Sequence, residues 1–190
     1  MDKQISLTFA KTRDMAHTAM FVALIAAGAF IKIPVPAIPF TLQTLFTLLA
    51  GILLGAKRGC AAVCIYMFLG LAGVPIFAQG GGIGYVFQPS FGYIIGFAVG
   101  TFVAGKIAEG RQRPGFKRLL AANLVGLAII YFFGLVYYYL ISALYLKAPI
   151  GLWPLFLHGL FVTLPGDLAL GMLGAAIGKR MIPLLREGKI

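Results

Sequence analysis

The chain has 190 residues, of which 61% are hydrophobic and only 11% charged, and it carries a formal charge of +11. Soluble domains run nearer about 45–50% apolar and about 25% charged, so too few polar side chains remain to cover a globule. That excludes a soluble enzyme, a disordered chain and, despite the charge, a nucleic-acid-binding domain. An excess of Lys and Arg in so apolar a chain reads as membrane topology.

Apolar stretches able to span a bilayer need about 20 residues, and six are found, at roughly 14–32, 42–56, 59–74, 91–108, 119–146 and 152–181. The first is followed by five more, so it reads as a retained span and not a cleaved signal. The second and third are short enough to be partly buried by neighbours; the fifth and sixth are long and predict tilt, kinking or projection beyond the bilayer. Positive charge sets the direction. Lys3, Lys11 and Arg13 precede span one, and Lys57 and Arg58 divide spans two and three. Lys106, Arg111, Arg113, Lys117 and Arg118 divide spans four and five, and Lys179, Arg180, Arg186 and Lys189 follow the main part of span six. Only Lys32 and Lys147 fall in the other loops, so fourteen of sixteen cationic residues lie on one side. This alternation predicts an all-α integral membrane protein of one domain, 1–190, with six transmembrane helices and both termini cytoplasmic.

Proline placement agrees. Pro34, Pro36, Pro39, Pro75, Pro89, Pro149 and Pro154 fall in or beside the three outer loops, Pro114 and Pro183 in cytoplasmic segments, and only Pro165 interrupts a span. Tyr137, Tyr138, Tyr139, Tyr145 and Trp153 cluster where an outer aromatic belt belongs.

The chemistry of catalysis is missing. There is no Walker-type phosphate loop, no His-Glu-x-x-His and no pair of acids within a span. Cys60 and Cys64 share a helical face and read as small core residues near a membrane surface, with a pair of metal ligands as the alternative. His17 and His158 read as interfacial or packing groups, and no metal site is expected. Binding and translocation, not turnover, is the class the residues favour.

Of five acidic residues, only Asp167 falls inside a span. It precedes Lys179 by twelve residues, about 18 Å of helix at 1.5 Å per residue, which places it beyond the midplane in the outer half. An ionisable group there needs a polar cavity or a partner. Pro165-Gly166 ahead of it predicts a kink or break that would leave Asp167 near a helix N-terminus. The first outer loop, Lys32 to Gln43, holds three prolines and predicts a stiff lid, with Thr41 and Gln43 offering a hydroxyl and an amide as span two begins; a plain connector is the alternative. The second, Val74 to Pro89, exposes backbone N–H groups at Gly80, Gly81, Gly82 and Gly84, a nest for a carboxylate, between walls from Phe77, Tyr85 and Phe87; a flexible hairpin is its alternative. Ala19, Ala23 and Ala27 share one face of span one and allow close approach of another helix.

Taken together, the chain resembles the biotin-specific substrate-capture (S) components, of BioY type, of energy-coupling-factor (ECF) transporters. The resemblance rests on Pro39-Phe40-Thr41-Leu42-Gln43-Thr44-Leu45, on Leu54-Gly55-Ala56-Lys57-Arg58-Gly59, and on the run from Tyr66 to Phe77. It continues through the glycines to Gln88-Pro89-Ser90-Phe91-Gly92-Tyr93 and ends at Pro165-Gly166-Asp167. It implies a multi-pass protein of the bacterial cytoplasmic membrane that binds biotin from outside under ordered outer loops. Energy would come from a transmembrane partner subunit and two ATP-binding subunits, with no cofactor in this chain and biotin as cargo. Ala19, Ala23 and Ala27 would then contact the transmembrane partner, although some members of the family work without a dedicated partner, as homo-oligomers. An S component for another vitamin would share the architecture. Leu170 stands where the family often has lysine, and Ser90 and Ala56 replace threonine and proline. The resemblance assigns biotin's ureido N–H groups to Asp167. Its ureido carbonyl falls to Thr41, Gln43, Gln79 or Tyr93, and its carboxylate to the glycine-loop amides, Gly81 and Gly82 among them, or to a tyrosine hydroxyl such as that of Tyr85.

Overall fold

The computed structural model describes residues 2–34, 38–110 and 114–186, with side chains described from residue 11 to residue 185 of those ranges. Among the cationic and loop residues invoked above, Lys3, Pro36, Arg111, Arg113, Arg186 and Lys189 lie outside the described residues or side chains.

Apolar runs bounded by Gly and Pro become helices. These are α1 (Asp2–Phe30), α2 (Gln43–Leu54), α3 (Ala56–Leu71), α4 (Phe91–Glu109) and α5 (Phe116–Leu144). A sixth rod is built from α6 (Leu152–Phe156), a π turn (Leu157–Phe161) and α7 (Leu164–Arg186). α4, α5 and the sixth rod are each long and apolar enough to cross a membrane. α2 has only 12 residues and α3 only 16, about 18 and 24 Å of helix. α2 is buried along most of its length, Gln43, Thr44 and Thr47 included, so its neighbours shield it.

The tightest packing is between α4 and α5. Gly92, Gly96 and Gly100 recur every four residues and form one face. A Cβ at Gly96 would sit 2.8 Å from the Cα and carbonyl oxygen of Ile130, and one at Gly100 2.7 Å from the carbonyl oxygen of Gly126. Backbones touch there, the mode of association open to helices that gain little from apolar burial in lipid. α2 and α3 are separated by Gly55, whose φ of 87° is the left-handed turn glycine adopts without strain.

Three details differ from the sequence reading. The first outer loop is not wholly irregular: Lys32–Ile33 and Phe40–Thr41 pair antiparallel, Lys32 opposite Thr41. The break in the sixth rod comes before Pro165, at the π turn and Val162–Thr163. Pro165 is then the second residue of α7, where its missing N–H removes no helical bond. Gly166 is small for another reason, since a Cβ there would lie 2.6 Å from the Phe40 ring. The tyrosine belt also divides. Tyr139, Tyr145 and Trp153 are exposed, whereas Tyr138 is buried and the Tyr137 hydroxyl donates to the Val86 carbonyl of the second loop. Cys60 and Cys64, with sulfurs 3.9 Å apart, lie toward the outside of the bundle and not in its core.

Candidate ligand-binding site

A cavity of about 40 Å³ lies at the end of the bundle covered by the two loops. The first loop contributes Ile38, Pro39, Phe40 and Thr41; the second contributes Ala78 and Tyr85. Gln43 and Thr44 enter from the start of α2, Ser90 precedes α4, and Tyr93, Ile94 and Phe97 come from α4 itself. Ile130 and Tyr131 come from α5, and Thr163 and Asp167 from the sixth rod. Both loops, α2, α4, α5 and the sixth rod thus place side chains here, and the walls alternate apolar rings and branched chains with hydroxyls, an amide and one carboxylate. That mixture defines a small-molecule site.

Asp167 is its electrostatic centre. It stands in the first turn of α7 with 6% of its surface exposed, where the helix N-terminus favours negative charge. The Tyr131 hydroxyl donates to Oδ2 at 2.5 Å, and the Thr163 hydroxyl lies 2.8 Å from the same phenol oxygen. Tyr131 has one proton, given to the carboxylate, so Thr163 donates to Tyr131. Thr44 faces the same carboxylate. Oδ1 is buried and has no hydrogen-bond partner among the described residues. Such an orphaned acceptor costs about 1–3 kcal/mol, more when charged, and is ready for a donor entering the cavity.

The other polar groups are partly engaged. Gln43 gives one amide proton to the Tyr66 hydroxyl at 2.7 Å, which donates to the Ile76 carbonyl at 3.1 Å. Tyr66, fully buried, ties α2, α3 and the second loop together. Thr41 accepts the Gln43 backbone N–H at 3.3 Å and sets the entry to α2. Tyr93 donates to the Gly159 carbonyl of the π turn at 2.6 Å; its oxygen can accept but its proton is taken. Tyr85 and Ser90 share a hydrogen bond of 3.1 Å, which leaves one of their two protons free.

Of the residues singled out in the sequence, Thr41, Gln43, Tyr85, Tyr93 and Asp167 are brought together at this cavity. Phe77, Gln79, Gly81 and Gly82 are not among its walls. Phe77 stands one layer behind, buried against Tyr66 and Tyr85 with ring centroids at 5.4 and 4.5 Å, and Gln79 is exposed. Two of the four glycine amides are already engaged. Gly80 and Gly82 donate to the Phe77 and Gly70 carbonyls at 3.2 and 2.7 Å, and Gly81 is tight because a Cβ would lie 2.3 Å from the Val74 carbonyl oxygen. The loop's glycines let it fold on itself. Ala19, Ala23 and Ala27 are exposed along α1 and are not among the cavity's walls.

Sequence reasoning passed over Tyr131, Thr163, Thr44 and Ser90. Tyr131 and Thr163 carried a usable signal. A phenol amid Ile129-Ile130 and Phe132-Phe133 needs a partner inside the membrane, and Thr163 precedes Asp167 by one helical turn.

A bundle of membrane-spanning helices that closes a polar cavity around one buried carboxylate is the architecture of a multi-pass binding and transport protein. The BioY family model matches residues 1–187, and the chain belongs to the BioY family, a family of transporter components and not of enzymes. It is 40% identical to a probable biotin transporter BioY of Lysinibacillus sphaericus over 94% of this chain and 91% of that one. It is 32% identical to a biotin transporter BioY of Rhizobium etli over 92% and 97% of the two chains. Its fold matches the crystal structure at 2.1 Å of the S-component for biotin from an ECF-type ABC transporter, with a TM-score of 0.76, 27% identity, and 90% and 92% of the two chains covered.

Proposed function

We propose that this chain is the biotin-capturing S component of an ECF-type uptake transporter in the bacterial cytoplasmic membrane. It loads biotin from the outer face, and ATP is hydrolysed by partner subunits. The observation that carries the reading is the buried, unpartnered Oδ1 of Asp167 in a cavity otherwise furnished with engaged hydroxyls and apolar walls. The names of the relatives point the same way.

Biotin presents two ureido N–H donors, one carbonyl, an apolar thiophane ring and a carboxylate. Asp167 Oδ1 accepts one ureido N–H, a charge-assisted bond. Tyr93, whose own proton is engaged, offers an acceptor for the other. The second amide proton of Gln43 serves the ureido carbonyl, since the Thr41 hydroxyl is given to Gln43 Oε1 at 3.4 Å. The free proton of the Tyr85–Ser90 pair serves the carboxylate in place of the glycine amides. A site that pairs each polar atom of a buried ring rejects rings lacking one.

A cavity of about 40 Å³ admits a few water molecules but not a bicyclic vitamin, so loading requires its walls, the two loops among them, to yield. Both termini are cytoplasmic in this reading, and the exposed face of Ala19, Ala23 and Ala27 receives the transmembrane partner. The test is a titration of radiolabelled biotin on detergent-purified protein without nucleotide. Saturable one-to-one binding that a panel of other vitamins fails to displace is expected. No binding, or tighter binding of another vitamin, overturns the assignment.

A further inference from the structure

The end of the bundle opposite the cavity holds a second, differently built cleft of about 530 Å³. Arg13, Lys57, Arg58 and Lys106 line it, with Asp14, Glu109 and His17. The carboxylates are committed. Asp14 receives both ends of the Arg58 guanidinium, at 2.7 and 2.5 Å. Glu109 Oε1 accepts the Ala56 N–H at the start of α3 at 2.7 Å, over Gly55, where a Cβ would stand 2.4 Å from that oxygen. Lys106 lies 4.0 Å from the other oxygen of Glu109. Arg13 and Lys57 have no ion-pair partner among the described residues. Four cations thus face two carboxylates.

The same Asp14–Arg58 pair also walls a groove of about 490 Å³ between α1 and α3, and that groove is apolar, lined by Val22, Ile65 and Leu69. From Arg58 to Leu69 is eleven residues, about 16 Å of helix, a length suited to an acyl chain. A soluble anion would use the cleft and leave the groove empty; a molecule with an anionic head and a hydrocarbon tail fills both.

We propose that this paired cleft and groove bind an anionic phospholipid, its phosphate between Arg13, Lys57 and Arg58 and one acyl chain along α1 and α3. The site is independent of what the outer cavity holds. Ala19 lies in the groove as well, so the lipid and a helix docked on that face exclude each other.

The test is native mass spectrometry of the full chain in detergent, titrated separately with dioleoylphosphatidylglycerol, dihexanoylphosphatidylglycerol, dioleoylphosphatidylcholine and inorganic phosphate. One dioleoylphosphatidylglycerol per chain should bind, at least tenfold tighter than phosphatidylcholine. Arg13→Gln with Lys57→Gln should weaken it by about thirtyfold, taking about fivefold for each cation near a lipid surface. Biotin binding in the same double variant should persist and show that it is folded. Val22→Trp, which fills the groove, should weaken the dioleoyl lipid far more than the dihexanoyl one. Equal binding of phosphatidylcholine, an unaffected double variant, or displacement of the lipid by inorganic phosphate at similar concentration would each overturn the proposal.

Discussion

Asp167→Asn is the sharpest perturbation available, because it alters one oxygen while keeping volume and shape. In the wild-type chain Oδ2 is held by Tyr131 and Oδ1 is free. An asparagine has a single acceptor oxygen. If that oxygen stays with Tyr131, the amide N–H₂ faces the cavity and meets the ligand's N–H donor to donor. If it turns to the ligand, the N–H₂ opposes the Tyr131 hydroxyl. Either way one charge-assisted hydrogen bond is lost, about 1.5–3 kcal/mol, or about 10- to 150-fold in affinity. The assay is biotin binding by calorimetry or radioligand titration, alongside the thermal midpoint of the same sample. A second arm uses a biotin analogue methylated on one ureido nitrogen. If the methylated nitrogen is the one that faces Asp167, the wild type should discriminate against it strongly and the variant hardly at all, since the contact is already gone. A folded Asp167→Asn protein that binds biotin within twofold of wild type would refute the role of this carboxylate and with it the proposed pose.

Three further outcomes follow from the same geometry. Gly96→Ala drives a Cβ against the Ile130 backbone at 2.8 Å and should destabilise the bundle by about 1–3 kcal/mol, read as a lowered thermal midpoint in detergent, whereas Gly84→Ala, with open space around it, should change little. Tyr137→Phe removes the hydroxyl that holds Val86 and should raise biotin's dissociation rate about fivefold, for a bond of about 1 kcal/mol, with faster hydrogen exchange across 74–90; unchanged exchange there counts against the loop as a gate. Ala23→Trp, on the exposed face of α1, should leave biotin affinity intact while abolishing co-purification with the transmembrane partner; intact co-purification would move that interface elsewhere.

The helices were readable because apolar length is a global property that survives local error. α4 begins at Phe91 and α2 at Gln43, beside the positions expected from hydropathy. Asp167 was readable because a lone acid in hydrocarbon is expensive and therefore conspicuous. The rest of the cavity was less legible, for physical reasons. Tyr131 reaches Asp167 across 36 residues of sequence, and nothing in a one-dimensional pattern specifies which faces of two helices meet. The glycines of the second loop suggested open amides, but a glycine-rich segment can equally fold back on itself, and Gly82 bonds to Gly70. Gly166 suggested a hinge, yet its smallness makes room for Phe40. In each case the residue type was noticed and its partner was not.

The way the chain is held together determines which parts can move to admit a ligand. Along α4 and α5 the contacts at Gly96 and Gly100 are backbone against backbone, close-packed surfaces that deform little without losing contact altogether. The loops over the cavity are held by scattered hydrogen bonds, Lys32 to the Ala78 carbonyl, Tyr137 to the Val86 carbonyl, Tyr66 to the Ile76 carbonyl and Gly82 to the Gly70 carbonyl, and by the buried rings of Phe77 and Tyr85. Bonds of this kind contribute about 0.5–1.5 kcal/mol each, and each buried ring adds about 1.5–3 kcal/mol, so a segment that keeps Phe77 and Tyr85 in place moves more cheaply than the helices separate. The cheaper motion is at the loops. It leaves the spacing of the helices, the exposed alanines of α1 and the basic cleft at the other end as they were, so taking up cargo at the loops need not reshape the faces proposed above for the partner and the lipid.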